Sequence, residues 1–280
     1  MTVAFGGDGA VKSALLDRLR RHAADATLLF GPTSWDGRAG TPIGVSTRGG
    51  DSADYAAQFG YPLALAGLLD PMTAYAGPDR AVDVALAWVE RVPVGIDLSP
   101  VAERIVDHLL DTMDADKVGA PYRATLRRYY AAERSDTPPA RRDWADLRAR
   151  IERAVQDERP ASDARTALVA CAAACWPLAT SGSVLPTLFA LWVGDANRRP
   201  DPEFGEALRV RAHAVLETIY RETQPLRDAG AAVDIPARFR DREPTLAAAF
   251  EAQLARSNAR HRDRAQSVPD VVLAHLAAAA

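Results

Sequence analysis

The chain has 280 residues, of which 48% are hydrophobic and 25% are charged, and its formal net charge at pH 7 is −3. This composition is typical of a folded protein with a sizeable core, and it excludes the disordered and fibrous classes. Acidic and basic residues are interspersed, so the chain lacks the basic stripe of nucleic-acid-binding proteins. We therefore expect no nucleic-acid partner.

The sequence also bears on cellular location and on cysteine chemistry. Residues 1–9 lack the basic region and apolar stretch of a secretory signal, and the apolar run 184–193 is shorter than a membrane span. We therefore expect a cytoplasmic protein with no membrane partner. Cys171 and Cys175 are four residues apart in an alanine-rich helical run, which predicts two small core residues rather than a disulfide or a zinc site. We expect neither a metal site nor a cofactor.

Helix start signals and apolar stripes recur along the whole chain. Asp8 can cap a helix that ends near Ala24, and Ser99 followed by Pro100 is a strong start signal for a helix through Met113. Residues 162–176 are apolar nearly all round, which predicts a buried central helix. Segments of this kind follow one another from residue 9 to beyond residue 269, and together they predict about ten helices.

We therefore predict an all-α protein, a single globular multi-helix bundle. Three short segments, residues 2–5, 26–30 and 92–96, are compatible with strands. A weak seam is expected at Ser-Asp-Thr-Pro-Pro, residues 135–139. It separates an N-terminal helical region, residues 1–135, from a C-terminal helical bundle, residues 136–280, in what we expect to be one continuous body.

Residues 31–50 interrupt the helical pattern. They contain eight glycine or proline residues, which is too many for a helix, and the stretch is long for a simple connection. We predict a long Gly/Pro-rich loop, and long ordered loops often carry function.

Three motifs have a functional interpretation and a simpler one. The segment Gly-Gly-Asp-Gly-Ala-Val-Lys-Ser at 6–13 has the first glycine, the lysine and the serine of a phosphate-binding loop, but Val11 replaces the glycine before the lysine. An ordinary helix start with Lys12 facing solvent is favoured. His213 and Glu217 are one helical turn apart, as metal ligands can be, and an exposed pair beside arginines is favoured.

The third motif is an acidic patch formed by Asp111, Asp114 and Asp116. Several carboxylates on one helix face can bind magnesium and a diphosphate. Because this patch falls at a helix end, a turn is the favoured interpretation.

A candidate site arises from residues that no single motif contains. The loop carries a tryptophan for stacking and two arginines for a carboxylate or phosphate, while Asp97 precedes a helix start and His108 follows on that helix. The simpler interpretation of Asp97 and Ser99 is an ordinary helix cap. If the loop folds over this helix start, the candidate catalytic residues are Asp97, His108 and Asp36, and the candidate ligand-binding residues are Trp35, Arg38, Arg48 and Tyr61.

Three sequence patterns resemble those of a group of bacterial proteins that has no assigned activity. The patterns are Gly-Thr-Pro-Ile-Gly at 40–44, Gly-Tyr-Pro-Leu-Ala-Leu-Ala at 60–66 followed by Leu69-Asp70, and Val-Pro-Val-Gly-Ile-Asp-Leu-Ser at 92–99. The resemblance implies that the three pieces form one structural unit. In that group the loop is similar to Gly-Cys-x-Val-Gly-Cys, whereas Thr41 and Val45 stand at the cysteine positions here, so thiol chemistry is not implied for this chain.

Two functions are compatible with these observations. The first is a small-molecule-binding protein or enzyme of bacterial specialised metabolism, with a helix-enclosed pocket that the 31–50 loop covers. The alternative is a regulatory or immunity-like protein that binds another protein without catalysis, using exposed apolar anchors. The sequence does not decide between an enzyme and a binding protein, and it is compatible with a homodimer. The anchors in the alternative are Phe30, Trp35, Tyr55 and Tyr61.

Overall fold

Helices form nearly all of the regular structure. The computed structural model describes residues 3–114, 117–159 and 162–279, and within these ranges it contains α-helices and a short 3-10 helix but no β-strand. The all-α prediction is confirmed, although the helices are more numerous than ten because short ones such as Pro42–Thr47 and Ile235–Arg242 were not predicted. After the 3-10 helix Ala4–Gly7, the α-helices in chain order are α1 (Gly9–Ala24), α2 (Pro42–Thr47), α3 (Ser52–Phe59), α4 (Leu63–Ala66), α5 (Leu69–Ala76), α6 (Pro78–Glu90), α7 (Ser99–Thr112), α8 (Ala120–Ala132), α9 (Arg141–Asp157), α10 (Asp163–Ala173), α11 (Val184–Arg198), α12 (Glu206–Asp228), α13 (Ile235–Arg242) and α14 (Pro244–Ala277).

The three candidate strands leave only isolated backbone pairs. The Ala4 N–H donates to the Ile96 carbonyl at 2.8 Å, and the Gly95 N–H donates to the Ala4 carbonyl at 2.9 Å. Leu28 forms a single bridge with Gly40. Such short segments have no further strand to pair with, because the surrounding chain is helical.

Acidic side chains cap two of the helix starts, and the cap at Asp8 is the predicted one. The Asp8 carboxylate accepts a hydrogen bond from the Ala10 N–H at 2.8 Å and starts α1. At α3, the Asp51 carboxylate accepts from the Ala53 and Asp54 N–H groups, and Asp54 accepts in return from the Asp51 N–H. These bonds satisfy backbone donors that have no partner within the helix, which stabilises each start by about 1 kcal/mol.

The described residues divide into two compact units. The first comprises residues 1–195 and 264–280, and the second comprises residues 196–263. The expected seam at residues 135–139 lies inside the first unit. Each unit has its own apolar core, and the small core of the second unit consists of Phe204, Ala212, Ile219, Phe239, Leu246 and Ala247.

The core of the first unit is centred on aromatic side chains. Trp88 is fully buried on α6, and the Tyr61 ring stacks on it with the centroids 5.4 Å apart. Tyr55 on α3 meets the Tyr61 ring edge-on at 5.3 Å and accepts a hydrogen bond from the Trp88 indole N–H at 3.2 Å. Each such side chain contributes about 1.5–3 kcal/mol through burial, so this cluster fixes α3 against α6.

Cys171 and Cys175 are buried free thiols, which confirms them as core residues. The Cys175 thiol donates to the Cys171 carbonyl at 3.3 Å, and burial raises the pKa of each thiol to about 12. Both therefore stay protonated at neutral pH, and a protonated buried thiol is a poor nucleophile.

The prediction for Lys12 was wrong. Its ammonium group does not point into solvent but donates to the carbonyls of Glu90 and Val92, at 2.9 and 2.7 Å. These carbonyls lie at the C-terminal end of α6, where a helix presents unpaired acceptors and partial negative charge. Lys12 therefore joins the first turn of α1 to the end of α6, which accounts for the lysine without a phosphate.

For the other two motifs, the His213–Glu217 pair and the acidic patch, the structure agrees with the simpler interpretation. His213 and Glu217 are exposed, and Glu217 pairs with Arg221 at 3.2 Å. In the acidic patch, Asp111 pairs with Lys117 and Arg123, at 2.9 and 2.6 Å. Asp114 accepts from the Gly119 N–H at 3.0 Å, and Asp116 lies outside the described residues.

In the part of the chain that the structure covers, no helix is long and apolar enough to cross a membrane.

Candidate functional site

The 31–50 loop is ordered and folds tightly on itself around Trp35. A Cβ atom at Gly40 would lie 2.6 Å from the Ser34 carbonyl oxygen, and one at Gly44 would lie 2.1 Å from the same atom. Both distances are too short for any side chain, so the Gly-x-x-x-Gly spacing is needed for the close approach of the two backbone segments. The glycines therefore serve packing within the loop.

Asp70 on α5 holds this loop in place. Its Oδ2 atom accepts hydrogen bonds from the hydroxyls of Thr33 and Thr41, at 2.7 and 2.6 Å, and its Oδ1 atom accepts from the Ile43 N–H at 3.0 Å. Thr41 also accepts from the Ser34 N–H at 3.1 Å. The three donors come from both arms of the loop, so a single carboxylate ties the loop to α5.

Asp70 is 1% exposed and forms no ion pair within the described residues. Burial raises the pKa of its carboxyl above the usual range, against the opposing effect of Thr41, Ile43 and Thr33, which stabilise the carboxylate by hydrogen bonds. A carboxylate has about four lone-pair positions, and three are used by these donors. One acceptor position on Oδ1 therefore remains for a further donor.

Beside Asp70 lies a cavity of about 560 Å³, here called the loop cavity. Its walls come from the first residues of the loop, from α2 and from α5. Thr33, Ser52, Asp70 and Tyr75 supply polar groups, and Asp70 is the only carboxyl group of a lining that contains no basic side chain. The lining residues are Gly31, Pro32, Thr33, Ile43, Ser52, Gly67, Asp70, Pro71, Ala74 and Tyr75.

The four predicted site residues of the loop do not line this cavity. Trp35 is half-buried, packs against Gly40 and Gly49, and meets the His22 ring edge-on at 5.7 Å. Asp36 is exposed and accepts from the N–H groups of Arg38 and Ala39, at 2.8 and 2.7 Å. These backbone bonds lower the pKa of its carboxyl. Asp36 therefore shapes a turn of the loop.

Arg38 and Arg48 are both exposed. Arg48 ends α2 in the left-handed conformation with φ of 59°. Tyr61 is 3% exposed, and its hydroxyl donates to the Trp88 carbonyl at 3.3 Å, so it belongs to the aromatic core.

Asp97 lines a different cavity, of about 260 Å³, together with Glu103, Tyr130, Glu133 and other residues. Its Oδ1 atom accepts from the Ser99 N–H at 2.9 Å, although the N-cap position of α7 is occupied by Leu98 and not by Asp97 or Ser99. Glu133 accepts from the N–H groups of Leu178 and Ala179, and burial nevertheless raises its pKa to about 7.

His108 lies further along α7 in an open groove with Arg104 and Asp107, and its ring is 5.5 Å from the His275 ring. The structure thus brings Trp35, Asp36, Arg38 and Arg48 together on the loop, and it places Asp97, His108 and Tyr61 elsewhere.

The sequence interpretation missed Asp70, Thr33 and Tyr75. One signal was available for Asp70, because an acid within the apolar run Leu68-Leu69-Asp70 is unusual unless it is paired or hydrogen-bonded. Threonines that donate to it from distant positions give no such signal.

Comparison with known proteins found no matching family model, no similar curated protein and no matching solved structure. The resemblance to the bacterial group and the assignment to specialised metabolism therefore stay predictions.

Proposed function

We propose that the chain binds a small organic molecule in the loop cavity, and that the molecule carries an amine or another hydrogen-bond donor. The observation that carries this proposal is the charge of the lining. Asp70 is the one charged residue there, and no cation of the described residues pairs with it. A buried carboxylate without a cationic partner favours a positively charged ligand.

The lining residues support the same ligand class. The Thr33 hydroxyl donates to Asp70, which leaves its oxygen lone pairs as acceptors for a ligand donor. Tyr75 is half-buried, and burial raises the pKa of its phenol, so it remains a neutral aromatic side chain beside the bound group. A cation next to an aromatic ring gains further attraction. A volume of about 560 Å³ is within the range of small-molecule sites.

The proposal is tested by blocking the cavity without breaking the bonds of Asp70. Ala74 is an exposed residue of α5 that lines the cavity, and its replacement by phenylalanine, A74F, fills the space. We expect wild-type protein to bind members of a panel of primary amines, measured by calorimetry and thermal shift. It should bind alcohols of the same shape at least tenfold more weakly, and A74F should lose amine binding.

Two controls separate a site from general charge effects. A74S keeps the cavity open and should bind as the wild type does, and D36N removes an exposed loop carboxylate outside the cavity. Equal binding of amines and alcohols, retained binding in A74F, or no binding of any amine by the wild type contradicts the proposal.

The alternative of a protein-interaction role loses its predicted anchors. Tyr55 and Tyr61 are buried, and Phe30 and Trp35 are half-buried and pack against the core, so the expectation that all four are exposed was wrong. A protein partner would need other apolar residues. Within residues 196–263 the exposed large apolar side chains are Leu208, Val210, Tyr220, Leu226 and Leu254.

A further inference from the structure

A second cavity, of about 480 Å³, has the opposite charge to the loop cavity. It lies between the start of α9 and the segment that follows α10, and it is here called the arginine cavity. Its charged lining residues are two arginines, and no acid lines it. The lining residues are Pro139, Arg141, Trp144, Ala145, Arg148, Cys175, Trp176, Pro177, Thr180 and Ser181.

Arg148 is held in place over an aromatic ring. Its guanidinium carbon lies 4.1 Å from the centroid of the Trp176 ring. Stacking restrains the guanidinium plane while leaving its N–H donors free at the edge. Its only ion pair among the described residues is with Glu152 at 3.8 Å, which is long for a charge-assisted hydrogen bond.

Arg141 has no carboxylate partner within the described residues and lies at the first residue of α9. The positive end of the helix dipole therefore adds to the charge at this wall. Asp143, two residues further along, already accepts from the Ala140 N–H at 2.8 Å and is not a lining residue. The cavity thus has two arginine side chains available to an anion.

The chemistry of the remaining lining residues indicates which other groups a ligand would carry. Trp176 is 42% exposed, which is unusual for so large an apolar side chain, and Trp144 provides a second indole wall. Thr180 and Ser181 add hydroxyl donors. Cys175 contributes no reactive group because burial keeps its thiol protonated, with the pKa raised to about 12.

We infer that the arginine cavity binds a small aromatic anion, in which a carboxylate or phosphate contacts Arg141 and Arg148 and the flat ring packs against Trp176. This ligand class differs from the amine proposed for the loop cavity, so the two sites are independent of each other.

The test uses the full chain and three naphthalene probes: 2-naphthoate, 2-naphthyl phosphate and the neutral 2-naphthalenemethanol. Binding is measured by calorimetry and by quenching of tryptophan fluorescence. We expect at least one anion to bind tenfold or more tightly than the neutral probe, and added salt to weaken that binding. The ratio of carboxylate to phosphate affinity identifies which anion the arginines prefer.

The matched variants are R141M and R142M, which remove the same charge from adjacent positions of α9. Arg142 is 89% exposed at its side chain and pairs with Asp146, outside the cavity. R141M should weaken anion binding roughly tenfold, whereas R142M should stay within twofold of the wild type. W176A removes an exposed side chain and should weaken all three probes.

Equal loss in R141M and R142M would show that diffuse surface charge, not the cavity, attracts the anion, and would overturn the inference. So would equal affinity of the wild type for the neutral and anionic probes. Because Arg141 and Arg142 are both exposed, neither variant is expected to impair folding, and circular dichroism of each checks this.

Discussion

Asp70, which is buried, and Glu133, which is half-buried, are two carboxyl groups of the first unit with different hydrogen-bond partners. Asp70 accepts from two hydroxyls and one backbone N–H, which is close to the full set of donors that a buried carboxylate needs. Glu133 accepts only from the backbone of residues 178 and 179, and these bonds do not offset the loss of hydration. Its pKa of about 7 makes Glu133 a group that changes charge near neutral pH.

This difference predicts a pH dependence of stability. The folded-state pKa of Glu133 is raised above its unfolded value, so its contribution to stability is fully present below about pH 4.5 and is lost as the pH rises through about 7. E133Q keeps an acceptor for residues 178 and 179 but does not ionise. We expect the free energy of unfolding of E133Q, relative to wild type, to rise by roughly 1 kcal/mol between pH 5 and pH 8, since the site is partly screened by solvent.

Urea titrations of both proteins at each pH measure this difference. E217Q, at an exposed carboxyl, is the control and should show a much smaller change over the same range. A constant difference between E133Q and wild type across the range would mean that Glu133 does not titrate there.

Elements are joined in this protein by single side chains that contact backbone. Lys12 on α1 donates to two carbonyls at the end of α6, and Asp70 on α5 accepts from residues of the loop around α2. Arg20, two turns along α1 from Lys12, instead pairs with the Glu90 side chain at 2.7 Å in an exposed position. The contacts to backbone are the stronger ones, because they satisfy carbonyls that have no partner within their helix.

The pair Lys12 and Arg20 allows a matched comparison. K12M removes two charge-assisted bonds to the end of α6 and should lower the free energy of unfolding by about 1–2 kcal/mol. R20M removes the same charge from the same helix but breaks only exposed ion pairs, with Glu90 and Asp17, each of which is worth about 0.2–1 kcal/mol. Chemical denaturation measures both, and a loss in K12M no greater than in R20M would show that Lys12 is not an important cap.

At the scale of the whole molecule, the two units differ in the size of their cores. All five tryptophans, Trp35, Trp88, Trp144, Trp176 and Trp192, belong to the first unit. The second unit depends on a few residues around Phe239, which is 3% exposed. Small cores stabilise little, so the second unit is expected to be the less stable of the two.

A substitution in the smaller core tests this expectation. F239A should raise hydrogen exchange across α12 and α13, because a large-to-small change in a core typically costs about 3–5 kcal/mol. Tryptophan fluorescence follows unfolding of the first unit. We expect F239A to change the denaturation midpoint of the first unit far less than it changes the stability of α12 and α13. L208A, at an exposed residue of α12, is the control. If the loss of free energy of unfolding measured by fluorescence equalled the loss measured by hydrogen exchange in α12 and α13, the two units would unfold together.

The sequence predicted the helices that carry local signals. Asp8 caps α1 as predicted, and the apolar spacing predicted for α7 and α9 matches the residues that these helices bury. It also predicted Cys171 and Cys175 as core residues and a Gly/Pro-rich loop at residues 31–50, although Pro42–Thr47 within that stretch form the short helix α2. These features depend on neighbours within a few residues, so that a single sequence contains the information.

The partners of the loop depended on tertiary structure. Asp70 is 37 residues from Thr33 and 29 from Thr41, and no local pattern links them. The sequence interpretation chose Asp97, which precedes α7, because a residue at a helix start and a buried anchor can be of the same type. Likewise Lys12 reaches carbonyls 78 and 80 residues away. The sequence by itself determined where most of the longer helices lie. Only the packing of the helices decided which acids are buried, which charges meet and where cavities form, because burial and long-range contact are properties of the folded chain.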